Sequence, residues 1–227
     1  MGAALGWGAL AASSLVLGAL IGLVRPWPRR AIGLVLGFGA GALISAVSFE
    51  LAEEGVKLAG ALPVAIGLGV GAITYFLASI RVASMGGGAA LALGAFLDGI
   101  PEQMVLGIGL AGGASVSAGL LAAIFVSNLP ESIGGTTDMR REMHGRREVA
   151  LTWFGIAVLC TAATGVGYAV ADAASNDLQA GINGFAAGAL LVMLVDSMIP
   201  EATEQSGRTT GLVTALGFAV AAGLSLA

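Results

Sequence analysis

The sequence predicts an all-α integral membrane protein with eight transmembrane helices in a 3+2+3 arrangement, an inverted repeat around a central helix pair. Three observations carry that prediction. Of 227 residues, 57% are hydrophobic and 11% charged, and mean hydropathy is +0.93; a soluble globular domain is about a quarter charged. The apolar residues fall into runs of about 20, the length of a helix that crosses the hydrocarbon core. Finally, two blocks of the chain resemble each other at a constant offset.

The first run, Gly2–Val24, has no basic flank before it and its positive charges follow, so it reads as a retained span and not as a cleaved signal. The other spans are Ala31–Glu50, Ala61–Ile80, Ala89–Leu110, Val116–Thr137, Val149–Ala171, Ala180–Ile199 and Thr209–Ala227. Their connections are short, so the chain reads as one transmembrane domain, 1–227. The 37 glycines suit helices that approach closely in lipid. The net charge of -4 comes from acids within and around the spans, which excludes nucleic acid as a partner and leaves the lipid bilayer as the surroundings.

Nine of the ten basic residues (Arg25, Arg29, Arg30, Arg81, Arg140, Arg141, Arg146, Arg147 and Arg208) follow the first, third, fifth and seventh spans. Only Lys57 lies on the other side. The positive-inside rule then makes that face cytoplasmic and puts both termini outside a cell (inner or plasma) membrane.

"GFGAGALISAVSFELAEE" from Gly37 aligns with "GFAAGALLVMLVDSMIPE" from Gly184 at an offset of 147, and Trp7, Gly8 and Gly18 fall on Phe154, Gly155 and Gly165 without a gap. Spans one to three (repeat one, 1–80) thus recur as spans six to eight (repeat two, 149–227). Corresponding spans are five apart, an odd number, so the copies are inverted. That is a common build of secondary transporters, with the site near the midplane. The central pair, 89–137, has its own likeness: "FLDGIPE" (Phe96–Glu102) matches "FVSNLPE" (Phe125–Glu131).

These two motifs hold the chemistry. A charged carboxylate at the bilayer centre costs about 2.5–3.5 kcal/mol, and no Lys or Arg lies inside a span to offset it. Asp98 and Glu102, four apart, share a helical face, as do Ser127 and Glu131, with Asn128 three before Glu131. Pro101 and Pro130 free the carbonyls of Leu97 and Val126. Together these groups would line an all-oxygen cavity suited to a cation. Along a possible ion path, Glu50 and Glu54 share a face at the outer end of the second span and would gather cations at an external mouth. Asp196 lies inside the seventh span, with Glu201 toward an inner exit. Cys160 reads as a small core residue, the methionines as gap-fillers, and His144, alone among arginines, as a poor metal ligand.

The paired Pro-Glu spans within eight helices resemble the ZIP (Zrt/Irt-like protein) divalent-metal transporters, in a divergent bacterial-type form that lacks the usual motif histidines. The family's fourth span reads His-Asn-x-Pro-Glu; here Asp98 replaces the histidine and Gly99 the asparagine. The resemblance implies a main metal site of Asp98, Glu102, Ser127 and Glu131, with Asn128 joining Glu102 and Glu131 in any adjacent site. It also implies a carrier and no enzyme, with no resident cofactor and a divalent metal ion, zinc, manganese or iron, as substrate. Losing the histidine shifts the ligand set toward oxygen and harder ions. The alternative is a proton- or cation-coupled carrier of a small solute on the same scaffold. A small-residue face, Gly37-x-x-x-Gly41, permits a homodimer.

Overall fold

The computed structural model describes residues 1–25, 27–85, 87–111, 117–142 and 145–225, and among them all regular structure is helical. The rods are α1 (Gly2–Val24), α2 (Arg29–Ala59), α3 (Ala61–Ala83), α4 (Gly87–Gly109), α5 (Ala118–Glu142), α6 (Arg146–Asp172), α7 (Asn176–Ser206) and α8 (Thr209–Ser225). Helices α1, α2, α3, α6 and α7 are long and apolar enough to cross a membrane, and α8 is a shorter apolar helix. The chain is a helical, multi-pass membrane protein. Val116, His144 and Ala227, named above, lie outside the described residues.

Seven of the eight rods have at least one end within three residues of the expected spans, but α2 and α7 run on past Glu50 and Ile199. Each passes through a π-helical segment, Val47–Glu53 in α2 and Leu194–Met198 in α7. The wider π turn lets the helix continue where acids and a proline signal an end. Pro200 falls in the first turn of the stretch after the π segment, where its missing N–H is tolerated. The π segments begin at residues 47 and 194, the 147-residue offset of the sequence repeat. Gly60 (φ 83°) and Gly207 (φ 67°), which end α2 and α7, obey the same offset. Only glycine enters that left-handed region freely. Helix α5 extends to Glu142 because Asp138 and Arg141, 3.3 Å apart on an exposed face, support another turn.

Four parallel pairs build the bundle. Gly18 and Gly22 of α1 lie on Leu129 and Ile133 of α5, and Gly37 and Gly41 of α2 lie on Thr210 and Thr214 of α8. Gly67 and Gly71 of α3 meet Gly181 and Phe185 of α7, while Gly99 and Gly107 of α4 meet Cys160 and Thr164 of α6. In each pair both numbers rise together, so the helices run the same way. A Cβ at Gly71 would stand 2.0 Å from the Phe185 carbonyl oxygen, so these backbones touch with no side chain between. The Gly37-x-x-x-Gly41 face is therefore filled by α8 of the same chain.

Helices α4 and α5 occupy the middle. The first touches α1, α3, α5, α6 and α7; the second touches α1, α2, α4, α6 and α8. Leu62, Ile66, Val70, Ile73, Leu77 and Ile80 of α3 point outward, as do Phe154, Val158 and Leu159 of α6. The outer surface is thus apolar, while the interior holds small and polar residues, the distribution that suits lipid as solvent.

Candidate functional site

The polar residues of the central pair meet because α4 and α5 pack directly on each other. Pro101 and Pro130 both lie inside these helices. Glu102 is 1% exposed, and its Oε1 accepts a hydrogen bond from Ser127 Oγ at 3.1 Å; Ser127 Oγ is also 3.0 Å from the Ile124 carbonyl. Ser127 is pressed there by α2, where Gly39 lacks the Cβ that would stand 2.9 Å from Ser127 Cα. Beside Glu102, fully buried Gln103 accepts from Thr164 Oγ1 at 2.7 Å, which pins α4 to α6.

Four buried atoms here have no hydrogen-bond partner among the described residues: Glu102 Oε2, Gln103 Nε2, and both Oδ1 and Nδ2 of Asn128. An unmade hydrogen bond on a buried polar group costs about 1–3 kcal/mol. Several in one place mark a spot where the protein alone leaves polar groups unsatisfied. Glu131 is half-buried, and Asp98, Glu102 and Glu131 lie within electrostatic range of one another. The ion pairs among the described residues, Lys57 with Glu53 and Glu54 and Arg141 with Asp138, are all exposed and involve none of these three.

Asp98 is differently placed. One oxygen accepts from Tyr75 Oη of α3, and the other from Ser197 Oγ of α7 at 3.2 Å. It lines a cavity of about 620 Å³ together with Tyr75, Glu131, Asp138, Ser197 and Glu201. Asp138 and Glu142, also on its wall, stand at the end of α5 that carries Arg140 and Arg141. The cavity therefore opens toward the arginine-bearing face and reaches Asp98 and Glu131 from there. Among the described residues, no three His, Cys, Asp or Glu side chains converge closely enough to hold a metal ion. Asp98, Glu102 and Glu131 supply the oxygen chemistry such an ion needs, but not yet a closed cage.

The sequence-predicted ion path divides in two. Glu50 turns inward and accepts from Ser117 Oγ at 2.5 Å and Ser225 Oγ at 2.9 Å. Glu54 is exposed and lies 3.7 Å from Lys57, so the structure does not bring it to Glu50's partners. Asp196 is exposed on the cavity rim, while its neighbour Ser197 faces Asp98. Glu201 lines the cavity and accepts from Gln205 Nε2 at 2.8 Å. Cys160 is fully buried, its sulfur in the hollow beside Gly99, 2.6 Å from where a Cβ would stand.

Sequence reasoning missed Tyr75, Ser197, Gln103 and Thr164. A signal existed for two of them. Tyr75 is one of only two tyrosines and sits mid-span, and Ser197 falls at the repeat position equivalent to Glu50. No protein-family model matches the chain, and no curated protein matches it either.

Proposed function

We propose that the protein carries divalent metal cations across the membrane by a ZIP-like alternating-access mechanism, with the ion bound by carboxylates of α4 and α5. One observation carries this reading: Asp98, Glu102 and Glu131 lie within electrostatic range of one another in the bundle, near the orphaned atoms of Glu102 and Asn128, and among the described residues no ion pair involves them. Buried carboxylates without a counter-ion call for protons or a bound cation. Asp98, Glu102, Ser127, Asn128 and Glu131 are the donors, and their oxygen-rich character favours Mn²⁺ or Fe²⁺ over thiophilic ions, with Zn²⁺ also accommodated.

Inverted three-helix repeats around a central pair support alternating access. The shared 147-residue offset of the π segments and turn glycines supports such a repeat, as does the pairing of α2 with α8 and α7 with α3. The arginine-bearing connections support an orientation in which the open cavity faces the cytoplasm and both termini lie outside.

Uptake of Mn²⁺ and Zn²⁺ into proteoliposomes, by the native chain and by Asp98→Ala and Glu102→Ala, tests the reading. The native chain should take up ions and both variants should lose uptake; equal uptake in all three would refute it. The cavity volume also falls in the range of small-molecule sites, which favours a second reading as a cation-coupled carrier of a small solute. Its aromatic lining is limited to Tyr75, Phe76 and Trp153.

A further inference from the structure

The eight helices fall into two sets by packing. Helices α4 and α6 pair, α1 and α5 pair, and α1 also packs on α6. Helices α3 and α7 form one close pair of the other set, and α2 and α8 a second. Within the first set, polar side chains tie helix to helix: Ser127 to Glu102, Thr164 to Gln103, and Ser132 Oγ to the Ser14 carbonyl at 3.5 Å. Across the boundary, the side-chain hydrogen bonds among the described residues end on two carboxylates. Asp98 of α4 receives Tyr75 of α3 and Ser197 of α7. Glu50 of α2 receives Ser117, which leads into α5. Glu50 and Ser197 lie in the two π segments at equivalent repeat positions, 147 residues apart.

Asp98 therefore serves the seam and not the interior of its own set. A carboxylate shows its lone pairs to whatever donors or cations lie nearest. Here both oxygens face O–H groups on foreign helices, while the unpartnered Oε2 of Glu102, one turn along α4, does not share them. Each oxygen has two lone pairs, so the competition is over orientation. The two hydroxyls on opposite oxygens fix the plane of the Asp98 carboxylate toward α3 and α7, and a metal ion shared with Glu102 and Glu131 needs it turned the other way. That accounts for three acids within electrostatic range that still fail to close on one point.

We infer that Tyr75 and Ser197 are positioning residues that hold Asp98 away from Glu102 and Glu131 until a divalent cation displaces them. The inference rests on the proposed reading as a cation carrier and adds a condition to it. Cation binding breaks the ties of α4 to α3 and α7, so a filled site and a fastened seam exclude each other.

The test is Mn²⁺ titration of the purified full-length chain in detergent, by calorimetry, for the native protein, Tyr75→Phe, Ser197→Ala, the double variant and Asp98→Asn. Thermal melts without metal run alongside. Removing the competing donors should tighten Mn²⁺ binding about tenfold in the double variant while lowering its metal-free melting temperature. Ser197→Thr, which keeps the hydroxyl, should bind as the native chain does. A structural role alone would lower the melt and leave affinity unchanged, which would overturn the inference. Weaker binding in the double variant would also overturn it, because the two oxygens would then be ligands. No Mn²⁺ or Zn²⁺ binding by the native chain would overturn the carrier reading and this inference with it.

Discussion

Gly71→Ala is the sharpest test of how the bundle is held together. Its Cβ would stand 2.0 Å from the Phe185 carbonyl oxygen, whereas ordinary contact begins at 3.4 Å, so α3 and α7 must part by about 1.4 Å. That separation also stretches the neighbouring contacts of Gly67, Gly184 and Gly188 along the same seam. Overpacking of this kind costs about 1–3 kcal/mol, offset by about 1 kcal/mol of helix propensity gained over glycine. With several contacts loosened together, a net loss of about 2 kcal/mol lowers the melting temperature by about 4–8 °C for a chain of this size. Gly69, two residues away on the same helix, has nothing within 4 Å of its Cβ position. Gly69→Ala should therefore melt at or a few degrees above the native temperature. Circular dichroism melts of the three proteins in one detergent decide the matter. An unchanged melt for Gly71→Ala, or an equal fall for Gly69→Ala, would refute the reasoning.

Ser127→Ala removes the donor that orients Glu102 and should weaken Mn²⁺ binding about tenfold, measured by calorimetry on folded protein. Gly99→Asn, which places the ZIP motif's asparagine in this chain, should destabilise the fold because its Cβ meets the Cys160 sulfur at 2.6 Å; Cys160→Ala in the same chain should recover much of the loss in a thermal melt. Glu50→Ala breaks bonds to Ser117 and Ser225 and should cost about 1 kcal/mol, seen as a melt lower by a few degrees. Arg141→Ala touches only an exposed pair and should shift stability by less than about 0.5 kcal/mol in the same assay.

The helices and the central pair were legible because membrane spans announce themselves by apolar length, and because two Pro-Glu motifs repeat at a fixed distance. Glu102 and Ser127 do meet, and Asp98 and Glu131 line one cavity. Tyr75 and Ser197 were not legible as its partners. Each is a single polar residue on an apolar helix, and only three-dimensional packing brings α3 and α7 to Asp98. Asp196 stands out in the sequence because it carries the charge, whereas Ser197 beside it does not. The π segment at Leu194–Met198 then changes the helix phase, so that the serine faces inward and the aspartate outward. A run of periodic apolar residues gives no warning of such a widened turn, which also hid the added length of α2 and α7.

The burial of Cys160 has a practical consequence. It is the chain's only cysteine and is fully buried, so the native protein presents almost no accessible thiol to a polar maleimide. A cysteine introduced on the cavity wall, at Ser79 for example, would become the dominant labelling site without any background mutation. A fluorophore or spin label there would report the opening and closing of the cavity in a sequence that is otherwise native.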